Sequence, residues 1–270
     1  MSKAAADTGQ VSASAAEIYD AFFVPALFGA WAGPLCEAAE VGAGHAVLDI
    51  ACGTGATTRD AARRVGPQGH IVGLDLNEGM LDVARSRAPA IAWTQAPAEA
   101  LPFADETFDR VLCQFGLMFF DDRSKALREM IRVLRPGGRL ALSVWDDADT
   151  SPGYAAMIVL IDSMFGSEAA DALRAPFVLG DRQTLRGVLD DGGLAEADIQ
   201  TVQGTARFAS IREWVRLDVR GWTLSDYIDD PGFEALVAAA ESRLQRFASE
   251  EGAVAFPAPA HLAVWQKPAP

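Results

Sequence analysis

A chain of 270 residues, half of them hydrophobic and 22% charged, has the composition of a globular enzyme whose core needs no disulfide or metal. Its net charge of −14, with 37 Asp and Glu against 23 Lys and Arg and no basic run, sets a repulsive average field against nucleic acid and leaves small neutral or cationic ligands as partners. Cys36, Cys52 and Cys113 share no paired spacing and read as reduced, buried side chains of an intracellular protein, without metal-ligand spacing.

The opening MSKAAADTGQVSASAAE (1–17) has no apolar core of signal-peptide length and reads as a flexible tail before a single domain, 18–270. The longest apolar runs, such as YAAMIVLI, are too short to span a bilayer, so a cytoplasmic location follows by elimination. EIYDAFFVPALFGAWAG comes next, aromatic enough to close over a ligand, with Tyr19, Phe28 and Trp31 as candidates.

From Ala46 onward, apolar strand-like runs alternate with helical patterns. AVLDIAC (46–52) predicts a strand and TTRDAARRV (57–65) a helix closed by Gly66. HIVGLDL (70–76) predicts the next strand, and NEGMLDVARSRA (77–88) a helix capped by Asn77. IAWTQA (91–96) and FDRVLCQFG (108–116) are the third and fourth strands. DDRSKALREMIRVLRPGG (121–138) is a helix with Leu127, Met130, Ile131 and Leu134 on one face, capped by Asp121 or Asp122 and stopped by Pro136-Gly137-Gly138. RLALSVWD (139–146) is the fifth strand. This rhythm predicts parallel pairing with right-handed crossovers, hence an α/β doubly wound sheet.

Beyond Trp145 the rhythm changes. GYAAMIVLIDSMF (153–165) and DRQTLRGVLDDGG (181–193) read as helices, while ADIQTVQGTARF (197–208) and HLAVWQK (261–267) read as strands that bring the sheet to seven. Helical insertions at about 150–180 and 210–250 are too long for simple loops and read as a cap or lid. The low-complexity signal is confined to the N-terminal tail and to the Pro/Ala-rich FPAPA (256–260) and KPAP segments, and no internal repeat is visible.

Gly53 and Gly55 stand where the first strand meets the first helix, and lacking Cβ atoms they let a ligand approach the backbone. Alone, Gly-x-Gly fits a plain tight turn equally well, and the third glycine of a dinucleotide loop is replaced by Thr58. Asp75, twenty positions after Gly55 at the end of the second strand, is where a carboxylate accepts bonds from ribose hydroxyls. The pair indicates a nucleoside cofactor and leaves a nicotinamide cofactor and S-adenosylmethionine both open.

VLDIACGTG, GLDLNEGML, AEALPFADETFDRVLC and REMIRVLRPGGRLALSVW, in that order, resemble the successive motifs of class I S-adenosylmethionine-dependent methyltransferases. The resemblance is to the group containing the ubiquinone/menaquinone-biosynthesis C-methyltransferases and covers about residues 18 to 146. It implies the seven-stranded Rossmann-like fold, S-adenosyl-L-methionine as cofactor and methyl transfer to a small molecule. It sets the methionine moiety against Ala51, Gly53 and Gly55, with Asp49 orienting the loop and the amino group. Asp75 would hold both ribose hydroxyls. Leu76 and Met80 would pack near the adenine, and Ala96, Pro97, Ala98 and Glu99 would line its other side. Gln114 and Phe115 would face the transferred methyl group. Relatives often carry Asp where this chain has Pro97, so backbone groups of Ala98 or Glu99 are expected to recognise the adenine here.

No general base is evident. His45 and His70 precede strands, at the edge away from the cofactor; His261 starts the last strand, and Asp146 and Asp147 read as solvated loop carboxylates. Phe28, Phe119, Trp145, Trp214 and Trp222, with Tyr227, are candidates for an apolar acceptor pocket beneath the lid, although each taken singly fits ordinary core packing. Two other readings stand beside methyl transfer. One is a methyltransferase-like fold that binds S-adenosylmethionine without transferring methyl, the other an NAD(P)-dependent oxidoreductase. Self-association through the N-terminal or lid segments is left open.

Overall fold

The apolar runs of the first half become parallel strands because crossover helices cover them on both faces. In the computed structural model, which describes residues 13–221 and 224–269, these are β1 (Ala46–Ile50), β2 (His70–Asp75), β3 (Ala92–Gln95), β4 (Phe108–Gln114) and β5 (Leu134–Trp145). The later strands are β6 (Asp198–Val202), β7 (Thr205–Phe208), β8 (Val254–Pro257) and β9 (Ala260–Gln266). Seven form one sheet in the order β3-β2-β1-β4-β5-β9-β6, in which β9 runs antiparallel to both of its neighbours. β7 and β8 form a separate hairpin-like pair. The doubly wound, mostly parallel seven-stranded fold is therefore as the sequence predicts. Strand order reverses between β1 and β4, which opens a crevice at the carboxyl ends of these two strands.

The helices are α1 (Ala13–Ile18), a π-helical stretch (Tyr19–Phe28), α2 (Gly29–Ala38), α3 (Ala56–Val65), α4 (Glu78–Arg87) and α5 (Arg123–Val133). The second half adds α6 (Pro152–Phe165), α7 (Ser167–Arg174), α8 (Arg182–Asp191), α9 (Ile211–Arg220) and α10 (Asp230–Arg243). Asn77 caps α4, its side chain accepting from the Met80 N–H at 3.1 Å. Of the two candidate caps of α5, Asp122 serves, accepting from Lys125 at 2.8 Å.

Three expectations need correction. Residues 13–17 are not tail but helix, with Ala16 fully buried. They lead into a helical run, Ala16–Ala38, that is long and apolar enough to cross a membrane by length and composition. Phe23, Leu27, Phe28, Trp31 and Leu35 in this run are buried against the domain instead. α5 stops at Val133, and the Arg-Pro-Gly-Gly segment belongs to β5. The register jumps there from Phe108↔Leu134 to Arg110↔Arg139, so the segment bulges out of the ladder. ADIQTVQGTARF is two strands in two sheets. The chain breaks at Gly204, where any Cβ would collide with the Trp31 indole and the Ala258 carbonyl. Within FPAPA, Phe256 and Pro257 belong to β8.

Gly73 and Trp93 are register partners on β2 and β3, and the indole lies where a Gly73 Cβ would be. Gly73→Ala is expected to cost about 1–3 kcal/mol by overpacking. Trp93→Leu in the same background should recover much of that loss. The midpoint of urea unfolding reads both, and a Gly73→Ala protein with an unchanged midpoint would mean that the ring is not seated there.

Candidate functional site

Leaving β1, the chain turns through Ala51 (φ +54°) and Gly53 (φ +54°), both left-handed. Ala51 carries the strain that a side chain meets in this region, and local bonds hold it in place. The Cys52 N–H donates to the Leu74 carbonyl at 3.0 Å, and the Gly53 N–H to Asp75 Oδ2 at 2.8 Å. The other oxygen of Asp75 accepts from the Asn77 N–H at 2.8 Å. Burial raises the Asp75 pKa, and the N–H groups of Asn77, Gly53 and Leu76 oppose the shift.

Asp49 is fully buried beneath this turn. Its Oδ2 accepts from the Thr58 hydroxyl at 2.6 Å, and its Oδ1 has no partner. Burial pushes its pKa up to about 7, against the hydrogen bond from Thr58 and assisted by the charge of Asp75. The position that a third glycine would fill in a dinucleotide loop thus carries the hydroxyl that anchors Asp49.

A cavity of about 240 Å³ opens over the turn. Tyr19, Phe28, Ala51, Gly53, Asp75 and Leu76 line it. So do Met80, the segment Ala96, Pro97, Ala98 and Glu99, and then Gln114, Phe115, Phe119 and Trp145. A smaller hollow of about 30 Å³ shares Tyr19, Phe28, Ala51, Gly53 and Gln114 with it, and adds Asp49, Thr54 and Thr57. Three buried polar atoms around this hollow lack partners: Asp49 Oδ1, Thr54 Oγ1 and Gln114 Oε1. Two bare acceptors beside a hydroxyl fit the ammonium and carboxylate of an amino-acid moiety, the part of S-adenosylmethionine that the resemblance sets there.

Some expected residues stand apart. Gly55 (φ +83°) does not line the cavity; its missing side chain makes room for the Trp93 ring. Trp31 lies behind the wall, edge-on to Phe115 at 5.8 Å and to Trp145 at 6.0 Å. Trp214 is fully buried among Tyr154, Phe208 and Phe256 and does not line the cavity. Trp222 lies outside the described residues. Tyr227 is partly buried against the core. Sequence reasoning missed Leu74, Asn77, Gly116, Phe120 and Asp121 in the large cavity, and Thr54 and Thr57 in the small one. Asn77 could have been found two residues past Asp75, and Phe120-Asp121 directly after Phe119.

Part of the cavity wall is aromatic. Phe115, held at φ +53°, stacks on Trp145 at 3.9 Å and 9°. Phe28 meets Phe115 at 5.6 Å and Trp145 at 5.8 Å, and Tyr19 stacks on Phe28 at 5.1 Å.

The histidines lie elsewhere. His45 directly precedes β1 and His70 opens β2, and burial lowers the His45 pKa. His261 is buried, with Nδ1 at 2.9 Å from Thr201 Oγ1 and Nε2 at 2.8 Å from the Gly180 carbonyl. It pairs with Val144, so strand alternation sends its ring to the face opposite Trp145. Asp146 accepts from the Asp147 N–H, and Asp147 from Asp149, so both carboxylates hold the turn after β5. Among the described residues no group of three His, Cys, Asp or Glu side chains could hold a metal.

Residues 47–138 match the methyltransferase-domain family. The chain is 35% identical over 184 residues to the ubiquinone/menaquinone biosynthesis C-methyltransferase UbiE of Saccharophagus degradans, covering 62% of this chain and 74% of the relative. It is 46% identical over 115 residues to the 2-phytyl-1,4-naphtoquinone methyltransferase of Thermosynechococcus vestitus, covering 42% of this chain and 51% of that protein. Among solved structures, Haemonchus contortus phosphoethanolamine N-methyltransferase 2, in complex with phosphomonomethylethanolamine and S-adenosylhomocysteine, has a TM-score of 0.61. That match covers 95% of this chain and 58% of the other at 16% identity, a likeness of fold.

Proposed function

We propose that this chain, which belongs to the class I S-adenosylmethionine-dependent methyltransferases and within them to the ubiquinone/menaquinone-biosynthesis group, methylates a ring carbon of a small apolar, quinol-like acceptor. The observation that carries the acceptor class is the aromatic wall of Phe28, Phe115 and Trp145 beside the adenosyl-sized cavity. The alternatives, a non-transferring binder and a nicotinamide-dependent oxidoreductase, are not favoured. The relatives are methyltransferases, and Thr58 anchors Asp49 where a dinucleotide loop would have glycine.

When bound, S-adenosylmethionine supplies an electrophilic methyl group on a sulfonium. In this reading Asp75 takes the ribose hydroxyls on the lone pairs that its two backbone donors leave free. Asp49 and Gln114 accept from the ammonium, and Thr54 meets the carboxylate. Met80, Leu76 and the Ala96–Glu99 segment sandwich the adenine. Phe28, Phe115 and Trp145 hold the acceptor ring and keep water out, so orientation supplies a large part of the catalysis, up to roughly 7–11 kcal/mol in favourable systems. The three cysteines are free and buried, which suits the cytoplasmic setting we assign to it.

Incubation with methyl-labelled cofactor and 1,4-naphthohydroquinone is expected to give a ring-methylated product by mass spectrometry. Turnover of a highly charged acceptor such as phosphoethanolamine, with none of the naphthohydroquinone, would overturn the apolar assignment.

Asp49 makes binding pH-dependent. With its pKa near 7 in the free protein, the carboxyl must ionise to face an ammonium. A ligand that favours the ionised form binds best above that pKa and releases a proton when it binds below it. Affinity for S-adenosylhomocysteine is thus expected to be flat above about pH 8 and to fall as pH drops below 7, approaching about tenfold per unit. Calorimetry in buffers of different ionisation heat counts the released proton, and Asp49→Asn should flatten the profile. Equal affinity at pH 6 and pH 8 in the unsubstituted protein would exclude Asp49 from contact with the ammonium.

A further inference from the structure

The cap holds a second group of unpartnered polar atoms that methyl-donor binding does not use. Tyr154 on α6, and Trp214 and Asp218 on α9, are all buried, with relative exposures of 1%, 0% and 1%. The Tyr154 hydroxyl, the Trp214 indole nitrogen and both oxygens of Asp218 lack hydrogen-bond partners. Trp214 stands near enough to Asp218 to favour its charged form, yet no hydrogen bond closes between them. Around them the packing is aromatic: Phe256 lies 4.7 Å from the Trp214 ring, Phe208 stacks on it at 5.7 Å, and Phe177 lies 5.5 Å from Tyr154.

Polar groups buried among rings are costly unless satisfied, and three Leu or Phe side chains would fill the same space more stably. A chain that keeps all three there points to a partner that enters. Burial holds the Asp218 carboxyl and the Tyr154 hydroxyl well above their ordinary pKa values. Together they offer one carboxyl group, one phenol and one indole N–H, the complement of an oxygen that both accepts and donates.

Two chains of contacts link the group to residues that line the cavity. Phe177, beside Tyr154, belongs to a turn that abuts the Leu117–Phe119 turn, and Phe119 lines the cavity. On the other side Gly221, just past α9, abuts Phe23, whose ring is 6.1 Å from that of Phe28.

We propose that Asp218, Tyr154 and Trp214 form an acceptor-recognition site that binds an uncharged hydroxyl or carbonyl oxygen on an otherwise apolar acceptor. This rests on the methyl-transfer reading above and adds what that reading lacks, a polar anchor at the end of the acceptor remote from the methyl donor.

The test uses the full chain saturated with S-adenosylhomocysteine, titrated with 1-naphthol and with naphthalene. The unsubstituted protein is expected to bind 1-naphthol about tenfold more tightly or better, as a buried hydrogen-bonding site rejects the analogue that leaves it unpaired. Asp218→Leu and Tyr154→Phe should each bring the ratio toward one while S-adenosylhomocysteine affinity stays within about twofold. Asp218→Leu should also raise the melting temperature, and the Trp214 indole N–H resonance should move with 1-naphthol and not with naphthalene. A preference that survives in both variants, or that is absent from the unsubstituted protein while S-adenosylhomocysteine binds normally, overturns the proposal and leaves internal water as the partner. Failure of the unsubstituted protein to bind S-adenosylhomocysteine would sink the methyl-transfer reading itself.

Discussion

Asp75→Ala is expected to weaken S-adenosylhomocysteine binding by about 1–3 kcal/mol, roughly 5- to 150-fold in Kd. The side chain has two tasks. Its oxygens accept from the N–H groups of Gly53 and Asn77, both at 2.8 Å, and in our reading their outward lone pairs take the ribose hydroxyls. Alanine removes the ligand contact and also frees the turn that carries Gly53. Asp75→Asn should do no better, because an amide must set its NH₂ against one of those two backbone donors. Calorimetry with S-adenosylhomocysteine and with adenosine separates the tasks: loss of a ribose contact lowers both affinities by a similar factor. Unchanged affinity for both would mean that the ribose does not lie on Asp75.

Much of this arrangement is legible in the sequence because it depends on local chemistry. A run such as Val47-Leu48 can only be a strand covered on both faces, and two glycines behind it mark a turn. An acid at the end of the next strand then falls beside that turn through parallel register, Ile50 pairing with Leu74 just before Asp75. What escapes is set by contacts distant in the chain. Gly55 looks like a ligand-approach glycine, but a tryptophan 38 positions later claims its space. Thr58 reads as a missing glycine until the structure shows Asp49 beneath it.

The N-terminal aromatics illustrate a second limit. Tyr19, Phe23 and Phe28 recur at spacings of four and five, which an α-helix would spread around its circumference. The π-helical stretch Tyr19–Phe28 brings the three rings together, with Tyr19 and Phe28 facing the cavity. Trp31, three residues on in α2, is consequently turned behind Trp145. Composition marks the segment as aromatic, whereas which of its rings reach the cavity depends on a change of helical pitch that no sequence periodicity announces.

Trp145→Ala should have the largest effect on stability, about 3–5 kcal/mol. The indole is only 3% exposed and stacks on Phe115 at 3.9 Å, and the rings of Phe28 and Trp31 close on it from two more sides. No single neighbour can collapse into the space it would leave. Phe115 sits in left-handed backbone, Phe28 leans on Tyr19, and Trp31 is wedged against Gly204. Such a loss is a large fraction of the 5–15 kcal/mol that typically separates folded from unfolded domains. Trp145→Phe keeps a stacking partner for Phe115 and should cost less than half as much. Urea unfolding of the three proteins measures the order. In folded Trp145→Ala, the Michaelis constant for an apolar acceptor should rise more than the dissociation constant of S-adenosylhomocysteine, because in our reading the indole holds the acceptor and Asp75 the ribose. An alanine variant within about 1 kcal/mol of the parent would show that this ring is not packed as described, and the aromatic wall would then lose its floor.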